Sequence, residues 1–146
     1  MRIDDAGPGE VPTAVAAAPR HAAAMDRITL GAEAEDAACA WALARGMTLL
    51  ARNVRYRFGE LDLVLRDGPT IVFVEVRRRR ASRFGDGAAS IDRKKRRRVI
   101  LAARAWLASK PRLAEAPCRF DVASVSGDDD ALRVKWIGTA FDASEN

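Results

Sequence analysis

Apolar positions recur at three- and four-residue spacing where Ala34, Ala37, Ala38, Trp41 and Ala44 follow one another. That period predicts an amphipathic helix over Gly31–Arg45, with Glu35 and Asp36 in its first two turns and Gly46 as its stop. The period then shortens. Met47–Tyr56 is a strand candidate, and Gly59–Arg66 alternates, with Leu61, Leu63 and Leu65 expected on one face and Glu60, Asp62 and Val64 on the other. Asp67-Gly68-Pro69 marks a turn. Thr70–Arg77 is a β-branched run, with Val72, Val74 and Val76 on one face and Ile71, Phe73, Glu75 and Arg77 on the other. Apolar residues on both faces predict a central strand covered on each side.

The two runs around the turn predict an antiparallel hairpin. With Asp67–Thr70 as the loop, Arg66 faces Ile71 and Asp62 falls opposite Glu75. Opposed Cβ atoms lie about 5 Å apart, so these two carboxylates repel unless a cation sits between them. Arg80–Ala89, with Gly85 and Gly87, reads as a mobile loop. Ser90 or Asp92 can cap the helix that follows, which runs to about Ser109 and is ended by Pro111. Val99, Ala102, Ala103, Trp106 and Leu107 form its apolar face. Arg119–Val125 and Leu132–Ile137 are the last strands, joined by an acidic turn over Ser126–Asp130. A strand, helix, strand passage from Thr70 to Arg119 is a right-handed parallel crossover by default. The element order predicts an α/β domain over residues 26–142, a mixed sheet flanked by helices, after a disordered leader (1–25) and before a polar tail (143–146).

Length and composition agree with one domain: 146 residues, with a 49% hydrophobic content inflated by 29 alanines. No run approaches the roughly 20 apolar residues of a membrane span. Val11–Pro19 is broken by Pro12 and preceded by Asp4, Asp5 and Glu10, which excludes a signal peptide and predicts a cytoplasmic protein with no membrane partner. Cys39 and Cys118 have no CxxC spacing and no histidine near them, so buried free thiols are expected rather than a disulfide or zinc site. His21, the single histidine, lies in the leader, which disfavours imidazole-based nucleophilic catalysis. Trp41 and Trp106 fall on apolar helix faces and are expected in the core; Trp136 is open.

Charge changes this picture. The chain is +5, yet residues 77–98 alone carry eleven basic side chains against two acidic ones. The remainder is therefore net acidic. So concentrated a segment points to a polyanion, nucleic acid first, with a merely solvated charged face as the plain alternative. Arg78, Arg79, Arg80, Arg93, Lys94, Lys95, Arg97 and Arg98 are the expected phosphate contacts. Six cations open the second helix, at the positive end of its dipole, where a bound anion would compensate.

Asp62 and Glu75-Val76-Arg77 carry the candidate chemistry. Two carboxylates at strand ends suit Mg²⁺ or Mn²⁺, which lowers the pKa of bound water and polarises a scissile phosphate. Arg77, on the face of Glu75, can neutralise charge developing on phosphoryl oxygens. Glu60 lies about 7 Å along the strand on the face of Asp62, as a supporting or alternative ligand. The competing reading pairs Glu75 with Arg77 or Arg79, because a charge inside a buried strand needs a partner.

These residues bring a resemblance into view. Ala34-Glu35 with Ala38, Gly46, Asn53, Gly59-Glu60-Leu61-Asp62-Leu63, Phe73-Val74-Glu75-Val76-Arg77, Phe84-Gly85, Lys94 and Phe120-Asp121-Val122 resemble the YraN family of small bacterial proteins. That family looks like part of the restriction-endonuclease-like, PD-(D/E)xK, nuclease superfamily. The resemblance covers about Gly31–Val125 and implies an αβββαβ core. It implies Asp62 and Glu75 as metal ligands and Glu35 as a third acidic ligand from the first helix. It further implies an endonuclease acting on DNA in preference to RNA, with branched or damaged DNA as a superfamily substrate and a homodimer as one assembly. Two positions depart from the pattern: Ala34 replaces a glycine, and Arg77 replaces the motif lysine. Arginine grips phosphate in a bidentate way but accepts no proton, so a lysine-type general base is excluded there. A nucleic-acid-binding module without catalysis is therefore the second reading, and an interaction protein whose basic segment docks an acidic partner the third.

Overall fold

The computed structural model describes residues 22–79, 92–128 and 131–143. Its elements are α1 (Ala22–Ala44), β1 (Thr48–Tyr56), β2 (Gly59–Asp67), β3 (Thr70–Arg79), α2 (Arg93–Ala108), a 3₁₀ turn (Pro111–Leu113), β4 (Cys118–Asp128) and β5 (Ala131–Phe141). The chain is thus α/β, in the expected order. α1 starts nine residues before Gly31, inside the stretch assigned to the leader. Apolar periodicity begins only at Ala34, but Ala22-Ala23-Ala24-Met25 are strong helix formers and extend the helix backwards. Residues 1–21, the expected loop 80–89 with Arg80, the alternative cap Ser90 and residues 144–146 lie outside the described residues.

One five-stranded sheet runs in sequence order, β1-β2-β3-β4-β5. Only β3 and β4 are parallel, joined through α2 as a crossover demands. The β2–β3 register is the one the Asp67-Gly68-Pro69-Thr70 turn implies, with Arg66 opposite Ile71 and Leu63 opposite Val74. α1 closes one face of the sheet over Leu63, Leu65, Val72, Val74 and Val125. α2 closes the other over Val64, Ile71, Phe73, Phe120 and Val122. β3 is covered on both faces, as its two apolar sides require.

The predicted alternation of β2 needs one correction. Leu63 and Leu65 pack under α1, but Leu61 packs in the α2 layer with Val64. The ladder to β3 ends at Leu63–Val74. The strand changes its facing at Asp62, where β3 no longer holds it.

Asp92 is the N-cap of α2, its Oδ1 accepting from the Lys95 amide at 2.8 Å. It sets one carboxylate against the basic first turns. α2 lies hard against the start of β2. A Cβ on Gly59 would meet the Arg98 carbonyl carbon at 2.9 Å and its oxygen closer still. Gly59→Ala is therefore expected to cost about 1–3 kcal/mol through overpacking, since the obstacle is backbone. Urea unfolding measures this, and an unchanged midpoint would show that α2 gives way freely.

Cys39 is buried as expected, but Cys118 is exposed; it opens β4 outside the α2 layer, near the free end of the strand. Trp106 is buried. Trp41 is only partly covered and stacks on Trp136 at 4.6 Å between centroids, with the Arg45 guanidinium 3.7 Å from its own centroid.

Candidate metal and nucleic-acid site

The site forms where β2 and β3 part. One residue past the last ladder pair, the Asp62 carboxylate replaces a backbone carbonyl: its Oδ2 accepts the Val76 N–H at 2.8 Å. This bond holds β2 to β3 through a side chain. It also brings the Asp62 charge beside Glu75, as the hairpin register anticipates. Glu75 is only 8% exposed, on the β3 face that α2 covers.

Burial pushes the Asp62 carboxyl up, and Glu75, Glu35 and Glu60 add repulsion that outweighs the Val76 hydrogen bond; its pKa is raised to about 8. Burial also pushes Glu75 up, against the opposing pull of Lys95 and Arg77. The pair is a desolvated concentration of acidic groups, and at Glu75 burial outweighs the pull of the cations beside it.

Lys95 supplies compensation, its Nζ 3.1 Å from Glu75 Oε2. The ion-pair alternative names Arg77 or Arg79 for Glu75; the structure adds Lys95, from the first turn of α2. The charge run places Lys95 among the phosphate contacts. The signal was present, because Lys95 lies four residues before Val99 and seven before Ala102, on the extension of the core-facing stripe. Arg77 still adds a favourable charge to Glu75.

Glu35 is held differently from the expected ligand role. Arg52 of β1 binds it at 3.3 Å and binds Asp36 at 3.0 Å. Its charge reaches Asp62, but its carboxylate is tied to arginine. No sequence pattern singled out Arg52. Glu60 sits at the exposed rim, paired with Arg55 at 3.4 Å. Among the described residues, no three Asp, Glu, His or Cys side chains converge as an ion-holding group. The residues that could hold an ion are the Asp62–Glu75 pair. This fits Mg²⁺, which commonly takes one or two carboxylates and completes its shell with water and substrate phosphate.

The expected phosphate contacts divide. Arg93, Lys94, Arg97 and Arg98 are exposed on α2. Arg79 follows Arg77 on the Glu75 face of β3 by strand alternation. Arg78 lies on the opposite face, and its Nη2 donates to the Gly127 carbonyl at 3.1 Å, which commits it to the end of β4.

Residues 34–125 match the uncharacterised protein family UPF0102. The chain is 56% identical over 111 residues to a UPF0102 protein of Xanthomonas campestris pv. campestris, covering 76% of this chain and 89% of the relative. It is 53% identical over 115 residues to one of Xanthomonas euvesicatoria pv. vesicatoria, covering 79% and 93%. A Pseudomonas paraeruginosa UPF0102 protein is 49% identical over 115 residues, covering 77% and 92%. No helix of the described residues is long and apolar enough to cross a membrane.

Proposed function

The chain belongs to the UPF0102, or YraN, family, and on the geometry of its carboxylate pair we propose that it is a divalent-metal-dependent nuclease of restriction-endonuclease-like type acting on DNA. The observation that carries this reading is the desolvated Asp62–Glu75 pair, with Asp62 raised to about 8, beside a helix whose first turns are basic. A structural ion pair needs one carboxylate for its lysine. Here a second buried carboxyl, itself raised to about 8, is held beside the first by a backbone N–H, a concentration of acid that an ion pair with Lys95 does not call for.

Asp62 and Glu75 would hold Mg²⁺ or Mn²⁺. When bound, such an ion activates water and offsets charge on the phosphate. The chain's own residues do the rest. The Asp62 bond to Val76 fixes one ligand against β3. Arg77 stands on the Glu75 face, where a guanidinium steadies phosphoryl oxygens. Lys95, half exposed, can exchange Glu75 for a phosphate oxygen once another cation neutralises the carboxylate. Arg93, Lys94, Arg97 and Arg98 grip the backbone without reading sequence, so affinity falls steeply with salt.

The test is cleavage of linear, nicked and branched DNA with Mg²⁺ or Mn²⁺, against the same reactions in chelator. Metal-dependent strand cuts are expected. The Arg77 substitution keeps a second reading open: salt-sensitive binding with no cut in any metal would make the chain a binding module and overturn the nuclease assignment.

A further inference from the structure

We propose that Tyr56 and Phe58, at the β1–β2 turn, form a stacking platform for an unpaired base of the DNA that enters the carboxylate site. The proposal rests on the nucleic-acid reading and adds a base-binding site to it.

Phe58 is 44% exposed, and it is the one aromatic among the large exposed hydrophobics of the described residues. A single exposed apolar side chain is ordinary. This one is built in. Tyr56 packs against the α2-side core. The two rings lie parallel within 2°, with centroids 5.3 Å apart. Tyr56 thus fixes the plane of Phe58 while much of Phe58 stays accessible. Rigid, partly exposed aromatic rings are how proteins take up bases without reading sequence, because every base has a π-face.

The surroundings select the occupant. Arg57, between the two aromatics in sequence, is exposed, and so is Arg55, which pairs with Glu60. Gly59, the next residue, presses on the Arg98 carbonyl, so the basic start of α2 lies directly beside the turn. An aromatic platform beside the basic start of α2 complements a nucleotide strand; a second copy of this chain would bring like charge to like charge. The spacing connects platform and site. Phe58 lies four residues from Asp62, and β2 spans all but the first of them. That is about 13 Å along the strand, or roughly four base steps of stacked DNA. A base on Phe58 would then lie a few nucleotides from the phosphate at the carboxylates. Flaps, splayed arms and junctions offer an unpaired base there; a blunt duplex does not.

The experiment uses the full chain without metal and a single-stranded DNA carrying 2-aminopurine, beside a fully paired duplex of the same sequence. Wild type should change the probe's fluorescence on binding the single strand. Phe58→Ala should weaken that binding about tenfold or more, leave duplex binding within about twofold and keep the wild-type melting temperature; Phe58→Trp should restore it. Wild-type affinity of Phe58→Ala for the single strand would overturn the proposal. So would equal losses on both DNAs, tighter binding of a matched RNA strand, or a dimer that Phe58→Ala dissociates. Because stacking is read without metal, a chain that stacks but cuts nothing in the separate Mg²⁺ or Mn²⁺ assay sinks only the nuclease reading, and cleavage in that assay with an indifferent Phe58→Ala in this one sinks only the platform.

Discussion

Asp62→Asn and Glu75→Gln should each lower metal-dependent DNA cleavage at least about 10³-fold, equivalent to about 4 kcal/mol of transition-state stabilisation, while DNA binding in chelator persists. Each substitution keeps the shape and removes one of the two negative oxygen donors available for the ion. The stability consequence of Asp62→Asn runs the other way. The Asp62 carboxyl titrates near 3.8 in the unfolded chain and about 8 in the folded one. Between those values the folded protein binds more protons than the unfolded chain, so metal-free stability falls as pH rises from about 4 to 8. Asparagine can keep the hydrogen bond from Val76 and carries no charge to desolvate. Asp62→Asn should therefore match wild type near pH 4 and exceed it increasingly towards pH 8 in chelator. Mn²⁺ should raise the melting temperature of wild type at pH 8 and leave that of Asp62→Asn unmoved. Thermal melts at both pH values check this. A variant less stable than wild type at every pH would show that the Asp62 charge is structural, and the carboxylate pair would lose its standing as a functional site.

Much of this site is legible in the sequence because a tight turn fixes a register. Asp67-Gly68-Pro69 with Thr70 determines that Leu63 meets Val74, and from there Asp62 and Glu75 must be neighbours. The two-sided apolar pattern of β3 likewise predicts helices above and below it. What escapes is long-range and sets one element against another. The ladder stops at Asp62, so Leu61 leaves the face that strict alternation gives it. Lys95 meets Glu75 only because α2 crosses close to Gly59. Arg52 reaches Glu35 from a strand whose own pattern carries no chemistry. Charge runs blur such distinctions further. Within Arg93–Arg98 the side chains look alike in sequence, yet Lys95 turns to a buried carboxylate and Arg96 lies 5.9 Å from the Phe141 ring, while their neighbours stay exposed.

Asp121→Ala should cost about 3–5 kcal/mol, the range for removing one partner of a buried charged network and a large share of an ordinary domain's 5–15 kcal/mol. Asp121 sits in an apolar stretch of β4, Phe120-Asp121-Val122, and is fully buried. β5 explains it. Phe120 pairs with Phe141 and Val122 with Ile137, so Gly138–Ala140 bulge opposite Asp121 alone. The bulge leaves Thr139 at φ +50°, a strained angle for a β-branched residue. Asp121 holds it there, accepting from the Thr139 N–H and the Trp136 indole N–H at 2.8 Å each. Arg119 Nε completes the set at 3.1 Å, and Arg119 also reaches Asp67 at the β2–β3 turn. With these donors around it, the carboxylate is occupied as a structural clamp between β4, β5 and that turn. Alanine leaves two part-buried N–H groups and the strained bulge without their acceptor. Asparagine, offering one acceptor oxygen and no charge, should cost an intermediate amount. Urea unfolding measures both. The folded fraction of either variant should cleave DNA at the wild-type rate, because Asp121 faces the α1 layer and Glu75 the α2 layer. A stable Asp121→Ala protein that has lost only cleavage would move Asp121 out of the framework and into the site.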